Sequence, residues 1–465
     1  MLNSSIVLYF GSRTLSAAGN LLSVVIFTRL VDPVEYGHYL LIYAWATIVF
    51  GFSTQWIGYA YFGVYETKRI DEYVNSFARL IASALVVIVT GFALMAWLGF
   101  WQPEFLFAVC VLVICISIYS NALQISRTKL NFRGGAISMI IRTCTTIVLG
   151  SIVLWQGGGA TGLAFVVAFA NLIATIPCLM STGKINLALG SRTTSFHILN
   201  YGWPLMLSFG VQSLGLYADR LLVGQFIGVA ALGTYGVLYD FLRQGFSVMG
   251  EVITFSMVTD AKQHIHEGNT KASTDALRAA FNASFATAAL GAAFLIVFGE
   301  QIARVLLGSR FHGEESNLIP IFAIAFGILL MGQSYFNQTI YFSKASFLEP
   351  ILQTALVSVS VAVSIWLIPI YGLQGAAIAV LAAGTVYCVG FIVLGRHYFR
   401  MPVDYLGLAV ISTFAVLFVF GSWTLAHVVT ETAILQASKV AVFMVLCALV
   451  VYQFGLLRHT PTGMT

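Results

Sequence analysis

The sequence predicts an all-α integral membrane protein with about fourteen transmembrane helices. Of its 465 residues, 59% are hydrophobic and 9% are charged, whereas soluble domains carry about 25% charged residues. The apolar residues fall into runs of about 20, the length at which an α-helix crosses the hydrocarbon core of a bilayer. These runs are too long for barrel strands and lack the polar–apolar alternation that such strands show.

The predicted helices follow one another with short connections. Two polar connections are longer than the rest, residues 259–279 and 300–316, and neither is long enough to fold as a separate soluble domain. We expect the first of them to be partly helical. The predicted spans are 6–28, 37–62, 76–100, 104–125, 136–155, 160–181, 200–223, 232–257, 280–299, 317–342, 348–370, 373–396, 403–427 and 437–457.

A helical hairpin occurs twice in the chain. Residues 27–50 and 223–246 each run from an apolar helix end through a short turn and Gly-x-Tyr into a second apolar helix. A second repeated motif is Gly-x-x-Gly, which begins at Gly159 and again at Gly372. In each half it opens a late apolar run. Four identities in the hairpins are separated by a constant 196 positions: Gly37 and Gly233, Tyr39 and Tyr235, Tyr43 and Tyr239, and Phe50 and Phe246.

The repeats predict two lobes of six helices, residues 1–182 and 195–398, followed by two further helices within 403–457. Because six is an even number, both copies enter the membrane from the same side, so they are parallel repeats related by an axis along the membrane normal. Two similar halves in a membrane chain favour a transporter, since movement of one half against the other opens a central site to alternate sides.

The basic residues place both termini in the cytoplasm. Lys and Arg concentrate in cytoplasmic connections of membrane proteins. One side holds four, namely Arg29, Arg304, Arg310 and Lys439. The other side, which includes the C-terminus, holds fourteen: Lys68, Arg69, Arg127, Lys129, Arg133, Lys184, Arg192, Lys262, Lys271, Arg278, Lys344, Arg396, Arg400 and Arg458.

Among the charged residues within or at the ends of predicted spans, six are informative about function. An ionised side chain in the hydrocarbon region costs at least ~2.5–3.5 kcal/mol, so it normally faces a bundle interior or a wet cavity. In the functional interpretation, the arginines contact an anionic substrate and the aspartates sense a proton or a cation. The residues are Arg13, Arg142, Asp219, Arg220, Asp240 and Arg243.

Each of these charges except Arg142 also has a structural explanation. Asp240 and Arg243 are three positions apart and can neutralise each other on one helix face. Asp219 and Arg220 can lie at the outer interface, where the Arg side chain reaches the headgroup region, and Arg13 can do the same at the cytoplasmic face. Arg142 is deeper and has no acidic neighbour in sequence, which favours a cavity role.

Catalytic and cofactor motifs are absent from the sequence. It contains no HExxH, GxSxG, Walker loop or GxGxxG after a strand, so we expect no catalytic residues, no metal and no cofactor. The six cysteines lie in apolar stretches without zinc-ligand spacing, and we expect them to be small buried apolar residues. The net charge of +5 does not indicate nucleic-acid binding, because the basic residues occupy short loops between apolar runs.

The N-terminal hairpin resembles that of the Wzx-like polysaccharide-biosynthesis flippases of the multidrug/oligosaccharidyl-lipid/polysaccharide (MOP) exporter superfamily. The similarity is carried by Arg13-Thr-Leu and by Thr28-Arg-Leu-Val-Asp-Pro-Val-Glu-Tyr-Gly-His-Tyr39. The Gly-x-x-Gly segments and the arrangement of six, six and two helices extend the likeness over essentially the whole chain.

The resemblance implies a multi-pass flippase of the bacterial inner membrane. Its substrate would be an undecaprenyl-diphosphate-linked oligosaccharide, the repeat unit of an O-antigen, a capsule or an exopolysaccharide. Its partners would be this lipid-linked substrate, membrane lipids, a periplasmic polymerase and other assembly proteins. The cationic cavity of the family implies diphosphate binding by Arg13, Arg142, Arg220 and Arg243, with Asp219 and Asp240 in ion coupling or ion pairs.

Two alternatives remain open at this point. A cation-coupled multidrug exporter of the same superfamily would need acidic residues facing its cavity, and Asp219 and Asp240 are candidates, whereas the number of arginines argues against it. A membrane polymerase, ligase or acyltransferase would need a large external loop or a cluster of His, Asp and Arg. The outer loops, such as GFWQPEF and WQGGGATG, leave little room for such an active site.

Overall fold

The computed structural model describes residues 4–180, 185–311, 313, 315–343, 345, 347–428 and 433–454. Within these residues the secondary structure is entirely helical. The α-helices are α1 (Ser4–Leu30), α2 (Pro33–Phe50), α3 (Trp56–Val64), α4 (Ile70–Trp97), α5 (Pro103–Thr128), α6 (Phe132–Trp155), α7 (Gly159–Leu179), α8 (Arg192–Phe226), α9 (Val229–Ile253), α10 (Thr259–His266), α11 (Thr270–Leu306), α12 (Glu315–Leu330), α13 (Thr339–Ser343), α14 (Leu348–Tyr371), α15 (Leu373–Gly395), α16 (Tyr405–Val428) and α17 (Ala433–Gln453).

These helices group into fourteen continuous spans, because three of the spans contain a short π-helical turn. The turns are Gly51–Gln55 between α2 and α3, Thr254–Val258 between α9 and α10, and Met331–Tyr335 between α12 and α13. A π-turn inserts an extra residue into the helix and rotates the face that follows it. The prediction of fourteen helices is confirmed over the described residues. The predicted linker 259–279 is indeed partly helical, since α10 and the start of α11 lie in it.

Eleven of the helical segments are long and apolar enough to cross a membrane. The spans of α8 and α9, which carry Asp219, Arg220, Asp240 and Arg243, are not among them. The cysteine prediction holds only in part. Four of the six are buried, but Cys447 is half-buried and Cys144 is exposed. Cys144 lies on a helix whose outward face is apolar, where a small thiol is tolerated.

The chain divides into two compact units, and the boundary falls within α9. The first unit comprises Leu2–Gly236 with Gly308–Phe311, and the second comprises Val237–Leu307 with His312–Thr465. The domain limits expected from the sequence, residues 1–182, 195–398 and 403–457, remain a prediction.

Close packing of α2, α5 and α7 forms the centre of the first unit. Their shared core includes Ala46, Leu112, Val113 and Ala168, all of them 2% exposed or less. Alanine at such contacts lets helix backbones approach closely, which stabilises helix pairs where no hydrophobic driving force exists between them. In the second unit, α16 and α17 pack on α11 through clusters that contain Leu290 and Ile411.

The start of α16 is fixed to α11 by one carboxylate. Asp404 Oδ2 accepts a hydrogen bond of 2.8 Å from the side-chain amide of Asn282. Its Oδ1 accepts from the backbone amides of Leu406 and Gly407, both at 3.2 Å. Desolvation raises the pKa of Asp404, but these hydrogen bonds together outweigh it and hold the pKa below its usual value.

The two sequence motifs of the first half contact each other. Glu35, in the repeated hairpin, accepts a 2.7 Å hydrogen bond on Oε2 from the backbone amide of Ala160, at the start of α7. A carboxylate at a helix N-terminus satisfies an orphan amide and interacts favourably with the helix dipole. Gly159, the residue before Ala160, has a φ of 58°. Gly372, which is the first glycine of the other Gly-x-x-Gly motif, has the same φ of 58°. Both positions therefore need glycine.

The repeated hairpins form a reciprocal glycine contact inside the first unit. A Cβ on Gly37 would overlap the carbonyl oxygen of Val229, and a Cβ on Gly233 would overlap the carbonyl oxygen of Pro33. Val229 and Pro33 are themselves 196 positions apart, as the two glycines are. Each glycine of one hairpin thus contacts the same position of the other hairpin. Such reciprocal contacts are typical of two-fold symmetry. The contact supports a repeat related by a pseudo-two-fold axis.

Substitution of either glycine should weaken the fold at this contact. We expect Gly37→Ala and Gly233→Ala each to cost about 1–3 kcal/mol, because backbone rather than a flexible side chain occupies the space. The apparent Tm of the purified protein in detergent measures the loss. Gly245→Ala in α9 is the matched control, since its Cβ would meet nothing within 4 Å. Equal Tm values for the control and the two variants would contradict the contact.

Candidate functional site

Arg142 lies on α6 against an aromatic ring of α5. Its guanidinium carbon is 5.2 Å from the ring centroid of Tyr119, and Tyr119 is itself 4% exposed. A cation over an aromatic face is partly compensated without being neutralised. Arg142 is half-buried and forms no salt bridge with any described residue. The structure thus gives Arg142 an aromatic neighbour and no carboxylate partner among the described residues.

Arg13 lies in α1, but its side chain is outside the described part of the structure. Its helix packs along α6. Ser12 donates to the sulfur of Met139, and a Cβ on Gly19 would overlap Thr143. The two helices that carry Arg13 and Arg142 are therefore neighbours.

Asp219 and Arg220 form a buried polar cluster at the end of α8. They are 3% and 2% exposed. The hydroxyl of Tyr235 donates a 2.8 Å hydrogen bond to Asp219 Oδ2, and the guanidinium carbon of Arg220 lies 4.8 Å from the ring centroid of Tyr217. The side chains are enclosed by protein, so the alternative in which Arg220 reaches out to the interface does not describe this structure.

Aromatic rings connect the repeated hairpin to this cluster. From Tyr36 to Tyr39, Tyr39 to Tyr43 and Tyr43 to Tyr217, the centroid distances are 5.7, 6.0 and 6.1 Å. These separations are those of tilted and edge-on aromatic pairs. The row ends at Arg220, which lies over the ring of Tyr217. Of the repeat identities noted in the sequence, Tyr43 contacts Tyr217 and Tyr235 binds Asp219, so both lie beside the first unit's buried charges.

Asp240 and Arg243 lie on α9 in the second unit, and both are half-buried. The internal ion pair that the spacing of Asp240 and Arg243 allows stays a prediction. The Nε atom of Arg243 is buried and has no hydrogen-bond partner. A buried donor without a partner is costly and rare, which makes Arg243 suited to an anionic ligand.

The structure brings some of the predicted site residues together and leaves others apart. Asp219 and Arg220 share one cluster, Arg142 lies on a separate helix pair of the same unit, and Asp240 and Arg243 belong to the second unit. Among the described residues, no group of three or more His, Cys, Asp or Glu could hold a metal ion.

Sequence reasoning missed a polar surface on α5. Ser120, Asn121, Gln124 and Arg127 line a cavity of about 260 Å³ together with residues of the α2–α3 span. Arg127 had been assigned to a cytoplasmic connection. The available signal was their spacing, because positions 120, 124 and 127 share one face of a helix.

A model of the polysaccharide biosynthesis protein family matches residues 4–260, more than half of the chain. No curated protein sequence matches the chain.

Two solved structures share the fold. The lipid II flippase MurJ, in an inward closed conformation, has 14% sequence identity and a TM-score of 0.74, and the match covers 96% of this chain and 99% of that one. An inward-facing multidrug resistance transporter of the MATE family, in the MOP superfamily, has 14% identity and a TM-score of 0.54, over 82% of this chain and 94% of that one. At these identities the likeness shows the fold. The two fold neighbours are named as a flippase and a transporter.

The Tyr235–Asp219 hydrogen bond should contribute to stability. We expect Tyr235→Phe to lower the free energy of unfolding by about 1–2 kcal/mol, because a buried carboxylate loses a donor. Thermal unfolding of the purified protein measures the change. Tyr371→Phe, at a ring that is 57% exposed, is the control and should leave the Tm unchanged. A Tyr235→Phe protein as stable as this control would show that the bond contributes nothing.

Proposed function

Because the chain belongs to the polysaccharide biosynthesis protein family within the MOP superfamily, we propose that it is a flippase for an undecaprenyl-diphosphate-linked oligosaccharide. It moves the repeat unit of an O-antigen, a capsule or an exopolysaccharide from the cytoplasmic to the periplasmic leaflet by alternating access. MurJ, a flippase of lipid II, has the same fold.

The observation that carries this proposal is a set of three arginines that lie inside helical spans and against aromatic rings or with an unsatisfied donor. Arg142 lies over Tyr119, Arg220 lies over Tyr217, and Arg243 has a buried Nε without a partner. Arginine is always protonated, and its planar fork donates two parallel hydrogen bonds to phosphate oxygens. A diphosphate that enters the membrane region supplies the negative charge that these positions lack.

The physical properties of the proposed substrate suit a helical protein with polar residues in its spans. The polyprenyl tail is stable in the hydrocarbon region, whereas the glycan and the diphosphate are not. A flippase therefore has to offer the head group a polar path while the tail stays in lipid. The tyrosine row from Tyr36 to Tyr217 adds amphipathic surface, with an apolar ring face and a hydroxyl, beside the buried charges.

We place the protein in the bacterial inner membrane with both termini in the cytoplasm. The support is the asymmetry of Lys and Arg between the two sets of connections. In this orientation the substrate arrives from cytoplasmic glycosyltransferases, and a polymerase or ligase consumes the product in the periplasm. This consumption, an ion gradient or the membrane potential supplies the energy.

A second candidate function is cation-coupled multidrug export. The observation in its favour is Asp219, a carboxylate that is 3% exposed inside a helical span, in a fold shared with a MATE transporter. Its hydrogen bond from Tyr235 and its neighbour Arg220 already compensate this carboxylate, however. The family match favours the glycan substrate.

Removal of the intramembrane arginines should abolish translocation. We expect Arg142→Ala and Arg243→Ala each to reduce translocation of the lipid-linked oligosaccharide at least tenfold, because each charge-assisted phosphate contact contributes about 1.4 kcal/mol or more. Proteoliposomes with fluorescent substrate in one leaflet measure the rate, and glycan export in cells provides a second readout. The same test applies to Arg13.

The matched control is Arg304→Ala. Arg304 is exposed and pairs with Glu300 one helical turn away, so we expect normal translocation and normal protein level. Full activity of the Arg142 and Arg243 variants at normal protein level would refute their assignment to the substrate.

A topology measurement tests the proposed orientation. We expect alkaline phosphatase fused after Thr465 to be inactive, because the enzyme needs the oxidising periplasm to form its disulfides, and the same reporter inserted after Trp155 to be active. An active C-terminal fusion would place the C-terminus outside and reverse the orientation.

A further inference from the structure

The cavity beside α5 has the chemistry of a sugar-binding site. It measures about 260 Å³, which is about nine times the volume that one water occupies in the liquid and enough for one sugar ring. All of its lining residues belong to the first unit. Those that matter for recognition are Gln55 and Tyr59 on the α2–α3 span, and Ser120, Asn121, Gln124 and Arg127 on α5.

The lining is rich in amide groups and lacks carboxylates. Gln55, Asn121 and Gln124 each combine a carbonyl acceptor with an NH₂ donor, and sugar hydroxyls need both. Arg127 supplies a positive charge, and none of the described residues that line the cavity is acidic. This composition suits a neutral or anionic polyhydroxylated ligand and disfavours a cation.

Contacts between the two spans hold the cavity wall in place. The hydroxyls of Thr54 and Ser117 form a 2.7 Å hydrogen bond, and Asn121 Nδ2 donates to the carbonyl of Ser117 at 2.7 Å. Gly58 lets α3 approach α5, because a Cβ there would come within 2.5 Å of Asn121 Oδ1. The π-turn that ends at Gln55 places this residue on the cavity side. Such turns frequently occur at functional sites.

One acceptor in the wall has no partner. The Oε1 atom of Gln124 is buried and accepts no hydrogen bond from the protein. A buried acceptor without a donor is unfavourable, and a ligand hydroxyl would satisfy it. This is the second, independent indication of a ligand, beside the composition of the wall.

Arg127, which lines the cavity, packs against an aromatic ring. Its guanidinium carbon lies 4.0 Å from the ring centroid of Phe62. This contact leaves the edge of the guanidinium group, with its donors, free to bind, since Arg127 forms no salt bridge with a described residue. A carboxylate or phosphate accepts two parallel hydrogen bonds from such a fork.

We propose that this cavity binds one sugar ring that carries an anionic oxygen group, as a subsite for the head group of the translocated glycan. Gln55, Asn121 and Gln124 bind the ring hydroxyls, and Arg127 binds the carboxylate of an acidic sugar or a phosphate attached to the ring. The nature of the ligand rests on the proposed function, whereas the site itself does not.

Direct binding to the purified full-length protein tests the site. Isothermal titration in detergent with glucuronate, glucose 1-phosphate, glucose and inorganic phosphate separates the contributions of the ring and the anion. We expect at least one of the two anionic sugars to bind about tenfold more tightly than both glucose and inorganic phosphate. The tighter of the two identifies the anion as a sugar carboxylate or a phosphate. The proposal would be overturned if glucose or inorganic phosphate bound as tightly as the anionic sugars. It would also be overturned if none of the four compounds bound.

Two cavity variants, Arg127→Gln and Gln124→Leu, separate recognition from folding. Arg127→Gln should lose the tenfold preference for the anionic sugar and retain weak glucose binding, and the conservative replacement Arg127→Lys should restore part of the preference. Gln124→Leu should weaken binding of every sugar while the Tm stays equal or rises, because the buried acceptor without a partner is gone. Arg133→Gln and Gln156→Leu, at exposed positions outside the cavity, are matched controls and should bind as the wild type does. Wild-type affinities in the two cavity variants would refute the site.

Translocation distinguishes failure of this inference from failure of the proposed function. In proteoliposomes, we expect the cavity variants to transport a lipid-linked acidic oligosaccharide more slowly than the wild type. If the wild type translocates and the cavity variants bind and translocate equally well, the subsite is wrong and the flippase stands. If the wild type binds an anionic sugar through Arg127 but translocates nothing, the site stands and the proposed function falls.

Discussion

The reciprocal glycine contact is the constraint on which the arrangement of the first unit depends. It joins the starts of α2 and α9 backbone to backbone, so no side chain can separate the two helices there. Three residues after Gly37 and Gly233, the equivalent positions Leu40 and Gly236 also meet each other. With α2 and α9 fixed, the tyrosines that follow on both helices come beside the end of α8. Tyr235 can then reach Asp219 because the contact has already set its helix.

Charge compensation is the second requirement, and the structure meets it to different degrees. Arg220 has Tyr217 below its guanidinium and Asp219 next in sequence, although its buried Nε, like that of Arg243, has no hydrogen-bond partner. Arg142 has an aromatic face only, and the buried Nε of Arg243 has nothing. A buried charge is stable only if it is paired or hydrogen-bonded. The incomplete compensation at the last two positions is what a transiently bound anion would complete, and it keeps binding weak enough for release.

The sequence predicts the helices well because bilayer-length apolar runs have no other stable conformation. It predicts Tyr235 and Gly233 as special because the repeat marks them. It does not predict which side chains line a cavity, because this depends on how each helix is rotated about its axis. Arg127 ends an apolar run, a position typical of a solvated loop residue, and only the packing of α5 against the π-turned span shows that it lines a cavity. The spacing of Asp240 and Arg243 allows an ion pair between them, which stays a prediction.

The repeat conserves backbone features and varies the chemistry built on them. An offset of 213 positions relates Gly159 to Gly372 and likewise Gln124 to Asn337, whose side-chain oxygen is also buried without a partner. The same offset puts Ile340 where Arg127 stands in the first half, so the second half lacks the guanidinium. Glu251 is the residue 196 positions after Gln55, so a carboxylate stands in the second half where the first half has an amide. If anionic sugars are recognised through the polar face of α5, that recognition can occur only in the first half, and the duplicated scaffold serves two different chemical roles.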